Sequence, residues 1–138
     1  MSTETALRNA GLRATAGRVA VLEALTSMPH SDADHVFRVV ASAVPTTSIQ
    51  SVHNILADLT AAGLTRRIEP AGSAALFERR VGDNHHHVVC SQCGAVDDVD
   101  CVVGHAPCLA PATTAGFTVQ TAEVTFWGTC PECAASAA

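Results

Sequence analysis

A chain of 138 residues that is 48% hydrophobic can build one core or two small ones, which excludes a disordered polymer. No apolar run approaches the roughly 20 residues of a bilayer span, and the first residues, with Glu4 and Arg8, lack the pattern of a secretory leader, so a cytoplasmic protein is expected. The net charge of −5 is uneven: eight arginines face seven acidic residues in residues 1–80, whereas residues 81–138 hold six acidic residues and no Lys or Arg, giving halves of +1 and −6.

An arginine-bearing half can approach phosphates, and an acidic half rich in His and Cys suits cations. In the first half, Thr15 caps a helix over residues 16–26 with Val21 and Leu25 on one face. Ser31 or Asp32 caps a second, with Val36, Val39, Val40 and Val44 at helical spacing and Pro45 as its stop. Thr47 or Ser48 opens a third, whose Val52, Ile55, Leu56 and Leu59 repeat at i, i+3, i+4 and i+7 before Gly63. Residues 65–69 and 74–79 read as strands joined by Pro70, Ala71, Gly72 and Ser73. Three helices followed by a hairpin predict a winged helix-turn-helix domain over residues 1–80. Its last helix would present Ser48, Gln50, Ser51, His53 and Asn54 to the major groove, with Arg13, Arg18, Arg66 and Arg67 near phosphates. A plain helical bundle with a hairpin is the alternative.

Residues 81–87 read as a polar hinge, and residues 88–138 as a small C-terminal α/β domain. Strands are expected over residues 88–90, 95–99 and 117–127, while Pro107 and Pro111 restrict any helix between the last two to a short one. So few strands leave an open edge, and pairing with a second copy to form a homodimer is expected.

Six cysteines in a reducing compartment favour metal over disulfides. Cys90-x-x-Cys93 and Cys130-x-x-Cys133, 36 residues apart, supply the four thiolates of a closed structural zinc site, with Gly94 and Gly128 beside them. A redox motif would instead need one pair. His85, His86 and His87 form a second cluster. If extended, His85 and His87 share a face and His86 takes the other, and with Glu78, Asp97, Asp98, Asp100 and His105 nearby in sequence they suit Fe2+, Mn2+ or Zn2+. Cys101 and Cys108 could be buried residues, a redox pair or spare ligands.

These residues, in this order, resemble the ferric uptake regulator (Fur) family: Gly11-Leu12-Arg13-x-Thr15-x-x-Arg18, His30 before a helix, residues 48–56, Ala62-Gly63-Leu64, Phe77-Glu78, His85-His86-His87-x-x-Cys90-x-x-Cys93-Gly94 and Gly128-x-Cys130-x-x-Cys133. Within it, residues 81–87, 98–101 and 106–109 look like the actinobacterial branch that represses catalase-peroxidase genes. The resemblance implies an α+β protein: a winged helix, then a dimerisation domain carrying the four-cysteine zinc. It implies a metal-dependent repressor of operator DNA whose regulatory ligands fall on His30, Glu78, His85, His87 and Asp98. Peroxide-sensing members resemble this chain in having Asp at the position of Asp98. In them, bound iron reacts with peroxide, a ligand histidine is oxidised and DNA is released, which makes His30 or His85 the expected target. No enzymatic turnover is implied. A further family metal site would fall on His86 and His105, with Glu123 as the substitute ligand because Ala122 stands where the family often has one. Two other readings remain: an iron- or zinc-responsive uptake regulator of the same fold, and a zinc-binding thiol redox protein or metal carrier that never touches DNA.

Overall fold

The computed structural model describes residues 1–79, 85–100, 111–120 and 122–136, and divides into two compact units, Met1–Val81 and Gly82–Ala138. In the first unit, α1 (Thr3–Asn9) and α2 (Ala16–Ser27) precede a two-residue strand, β1 (Ser31–Asp32). Helices α3 (Ala33–Ala43) and α4 (Ile49–Ala61) follow, and then a hairpin of β2 (Arg66–Ile68) and β3 (Leu76–Glu78).

Each helix starts where a side chain can satisfy an orphan amide. The hydroxyls of Ser2, Thr15 and Ser48 accept from the amides of Thr5, Arg18 and Ser51 at 3.1, 3.3 and 3.1 Å, and the Asp32 carboxylate accepts from His35 at 2.8 Å. Helix α4 ends through Gly63, whose φ of 77° lets the Leu64 amide turn back to the Leu59 carbonyl at 2.9 Å. The helices bury Leu7, Val21, Leu22, Leu25, Val36, Val40, Val52, Leu56 and Leu59, and Phe77 of β3 closes the core. Val39 departs from the expected face and is exposed, because the buried stripe of α3 runs through Ala33, Val36 and Val40 at i, i+3 and i+7.

The sheet order is β1-β3-β2, antiparallel throughout, with Ser31 opposite Phe77 and Arg66 opposite Glu78. Helices α2, α3 and α4 with this hairpin are the winged-helix arrangement that the pattern predicts. Arg79 reinforces the packing, donating to the Thr26 hydroxyl at 2.8 Å and the Thr3 hydroxyl at 3.5 Å.

The second unit contains β4 (His85–Cys90), β5 (Val96–Asp100), β6 (Thr125–Gly128) and a short helix, α5 (Pro131–Ser136). Central β4 runs antiparallel to β5 and parallel to β6. Two expectations are corrected. His85, His86 and His87 belong to the central strand and not to a hinge, because they pair with Asp100, Val99 and Asp98 of β5. The long strand expected over residues 117–127 is confined to β6. Residues 111–120 are exposed and lie in no strand: Ala115 and Gly116 take φ of 49° and 83°, and the Phe117 amide turns back to the Thr114 carbonyl at 2.9 Å. Cys101, His105, Cys108 and the short helix allowed near Pro107 lie outside the described residues.

Candidate metal centres and nucleic-acid face

The four cysteines come from three local structures: the C-terminal end of β4 (Cys90), the turn after it (Cys93), and the start of α5, where Cys130 precedes Pro131 and Cys133 lies in the first turn. The parallel pairing of β4 with β6, Cys90 opposite Gly128, brings the two CxxC motifs together. Their sulfurs all lie within 4.8 Å of one another, and the Cys93 and Cys130 sulfurs are 3.7 Å apart. Four sulfurs at about 2.3 Å from a tetrahedral zinc sit roughly 3.8 Å from each other, and a disulfide would need about 2.05 Å, so the spacing fits a shared cation and excludes a bond.

The backbone supports the set: Cys90 Sγ accepts from the Cys130 amide and Cys130 Sγ from the Cys133 amide, each at 3.4 Å. Amide donors from Cys130, Cys93 and Gln92 hold the Cys90 thiol down, to about 6. The Cys133 thiol is pushed up to about 12, chiefly by sharing a proton with Cys130 and Cys93. Four neighbouring thiols cannot all ionise against each other, and a divalent cation is what would let them.

The imidazole and carboxylate residues form two groups, one in each unit. In the first unit, His30 Nε2 is 3.0 Å from Glu78 Oε2; Glu78 is fully buried at the end of β3. His30 adopts a φ of 62°, a left-handed conformation uncommon for a residue with a side chain, at the corner between α2 and β1. In the second unit, His85 and His87 share one face of β4, and antiparallel pairing sets Asp98 of β5 opposite His87. One Asp98 oxygen lies 3.5 Å from His85 Nε2 and 3.4 Å from His87 Nε2, and the two rings meet edge to face at 5.0 Å. Donors at about 2.1 Å from one ion and at right angles are roughly 3 Å apart, so the separations within each group suit adjacent ligands.

His86, on the other face of β4, is buried against the Phe126 ring at 6.4 Å, and its Nδ1 has no hydrogen-bond partner among the described residues. Glu123 is exposed.

On α4, Ser48 caps the first turn and Ser51 supplies the capped amide, while Gln50 and Asn54 are exposed and joined by a side-chain hydrogen bond of 3.0 Å. His53, also exposed, lines a cavity of about 710 Å³ together with Ala57, Ala61, Arg67 and Phe77. Arg13 is exposed and offers its carbonyl to the Arg18 guanidinium at 3.1 Å; Arg18 also pairs with Asp58 of α4 at 3.3 Å. Arg67 pairs with Glu69. Asp58 was not singled out from the sequence, since a partner 40 residues from Arg18 leaves no local signal.

Among the described residues no helix is long and apolar enough to cross a membrane. Transcriptional regulator FurA of Mycobacterium tuberculosis is 54% identical over 130 residues, covering 94% of this chain and 88% of that protein. The peroxide operon regulator of Bacillus subtilis is 30% identical over 133 residues, covering 92% and 88%. Among solved structures, the ferric uptake regulator of Pseudomonas aeruginosa with manganese superimposes with a TM-score of 0.68 at 26% identity, covering 95% of this chain and 99% of the other. Residues 9–126 match the ferric uptake regulator family profile, so the chain belongs to that family of transcriptional regulators, which bind DNA as dimers and are not enzymes.

Proposed function

We propose that this regulator is a cytoplasmic, metal-dependent homodimeric repressor of operator DNA that senses peroxide through iron at its regulatory site. The observation that carries the reading is Asp98, whose single oxygen lies within 3.5 Å of two histidine Nε2 atoms on one face of β4. In this reading His30 and Glu78 of the first unit and His85, His87 and Asp98 of the second ligate one ion. Its binding free energy then favours one domain arrangement, the one competent for DNA. Zinc occupies Cys90, Cys93, Cys130 and Cys133 and holds the second unit together. His86, with its buried Nδ1, joins His105 and Glu123 in a third site.

Ferrous iron, when bound, supplies the reducing electrons for peroxide cleavage. The chain's part is to hold an imidazole carbon within reach of the oxidant, so that His30 or His85 gains one oxygen and its donor set is spoiled. Loss of one ligand removes the energetic link and the duplex is released. The similarity to a relative named as a peroxide operon regulator supports this reading.

A second reading, iron- or zinc-responsive uptake control, is favoured by relatives named ferric uptake regulation proteins, and the donor chemistry serves both. A thiol oxidoreductase or metal carrier is disfavoured by the gathering of all four thiols at one point. The test compares duplex binding by zinc-loaded protein carrying Fe(II) or Mn(II), before and after brief low peroxide, followed by mass spectrometry of the histidine peptides. Release confined to the iron form, with one added oxygen on His30 or His85, is expected. Binding that follows metal concentration and ignores peroxide would establish uptake control instead.

A further inference from the structure

His30 and Glu78 sit where strands end, and strand ends fray. β3 stops at Glu78, and its ladder with β1 begins at Ser31 opposite Phe77, so both residues stand at the margin of that pairing. His30 also holds a φ of 62°, a conformation that persists only where neighbouring contacts fix it. An approach of 3.0 Å between His30 Nε2 and Glu78 Oε2 at such a margin calls for support from outside the ladder.

Arg79 is placed to supply it. Its guanidinium donates to Thr26 Oγ1 at 2.8 Å and lies 3.5 Å from Thr3 Oγ1. Thr26 is in the last turn of α2, four residues before His30, and Thr3 is a buried residue at the start of α1. The Thr26 hydroxyl spends its one proton on the Leu22 carbonyl at 2.9 Å, so it meets Arg79 as an acceptor. Consecutive Cα atoms are about 3.8 Å apart, so pinning Arg79 to α2 restrains the backbone of Glu78 as well. On the other side of the corner, the Ser31 hydroxyl donates to the Met28 carbonyl at 2.7 Å. The segment carrying His30 and the segment carrying Glu78 are thereby tied to the same end of α2.

Resting on the proposal that His30 and Glu78 ligate the regulatory ion, we infer that Arg79 is a positioning residue for that ion: through Thr26 it clasps the end of β3 to α2 and holds the Glu78 carboxylate against His30. It acts on the ligand through the backbone and spares the ion the cost of ordering two frayed ends. Residues that orient metal ligands in this way typically contribute roughly 10-fold or more in metal affinity.

The test titrates full-length, zinc-loaded protein with Mn(II) in the absence of DNA, reading the free ion by electron paramagnetic resonance. Arg79→Met keeps the aliphatic stem and removes the donors; Thr26→Val keeps the shape and removes the acceptor. Each should weaken Mn(II) binding roughly 10-fold, and the double variant should be no weaker than either single one, because the same bond is lost in all three. Arg79→Lys, which keeps a donor, should recover most of the affinity. Leu56→Ala loosens the same unit on α4, which takes no part in the clasp, and should bind Mn(II) as the wild type does. Wild-type affinity in Arg79→Met, or a loss no larger than that in Leu56→Ala, would overturn the positioning role while leaving the ligand set intact. Unchanged Mn(II) binding in Glu78→Gln would instead overturn the ligand set itself, and the inference with it.

Discussion

Replacing Cys130 by Ser removes the sulfur that lies 3.7 Å from Cys93 and that accepts the Cys133 amide, while leaving the backbone of α5 free to form. Structural zinc contributes about 10–16 kcal/mol in small zinc domains, so one ligand in four accounts for about 2.5–4 kcal/mol. That corresponds to a loss of roughly 10²- to 10³-fold in zinc affinity. The second unit has little to offset it: among the described residues its buried apolar side chains are Val89 and Cys90, and each contributes at most about 1.5–3 kcal/mol. The first unit has an independent core built on α2, α3 and α4. Calorimetry of the variant should therefore show the transition of the second unit shifted down or lost while the first is retained, and zinc titration against a competing chelator should show the weakened site. Zinc removal from the wild type should reproduce the effect. A full equivalent of zinc held at wild-type affinity, with unchanged melting, would refute the four-thiolate site.

Three further outcomes follow from the first unit. Leu56→Ala, at a fully buried position of α4, should cost about 2–5 kcal/mol in denaturant unfolding of that unit, and a cost below 1 kcal/mol would mean that α4 does not pack as described. Gly63→Ala places a side chain where φ is 77° with open space around it, so backbone strain alone should cost about 1–2 kcal/mol in the same assay. Asp58→Asn breaks an exposed ion pair worth under about 1 kcal/mol, so melting should barely move, whereas duplex affinity should rise as a charge repelling phosphate disappears and Arg18 is freed. Reduced affinity in that variant would mean that Asp58 holds Arg18 in place for DNA.

How legible each part was in the sequence follows from how local its cause is. The three central helices could be read because caps and apolar spacing act within a dozen residues: Thr15, Asp32 and Ser48 each cap where the pattern places a start. The cysteine cluster was legible because CxxC spacing itself fixes two ligands per turn. Helices α1 and α5 are only seven and six residues long, too short for a period to show, although Pro131 at the first position of α5 was a usable sign. Strand β1 is two residues whose only reason to be extended is Phe77 and Leu76 opposite. The strand expected from residue 117 failed because apolar alternation there meets no partner strand among the described residues, and Phe117 is exposed. His30 and Glu78, 48 residues apart, were joined in the sequence through the family resemblance and not by any local spacing, whereas Arg18 and Asp58, 40 residues apart, come into range only in the folded chain.

The most direct measurement is duplex affinity against Mn(II) concentration for the zinc-loaded wild type and for His87→Ala, whose imidazole lies beside Asp98. Binding that rises steeply with Mn(II) in the wild type and loses most of that response in His87→Ala is the predicted result. An unchanged Mn(II) response in the variant would contradict a regulatory metal held by His87 and Asp98.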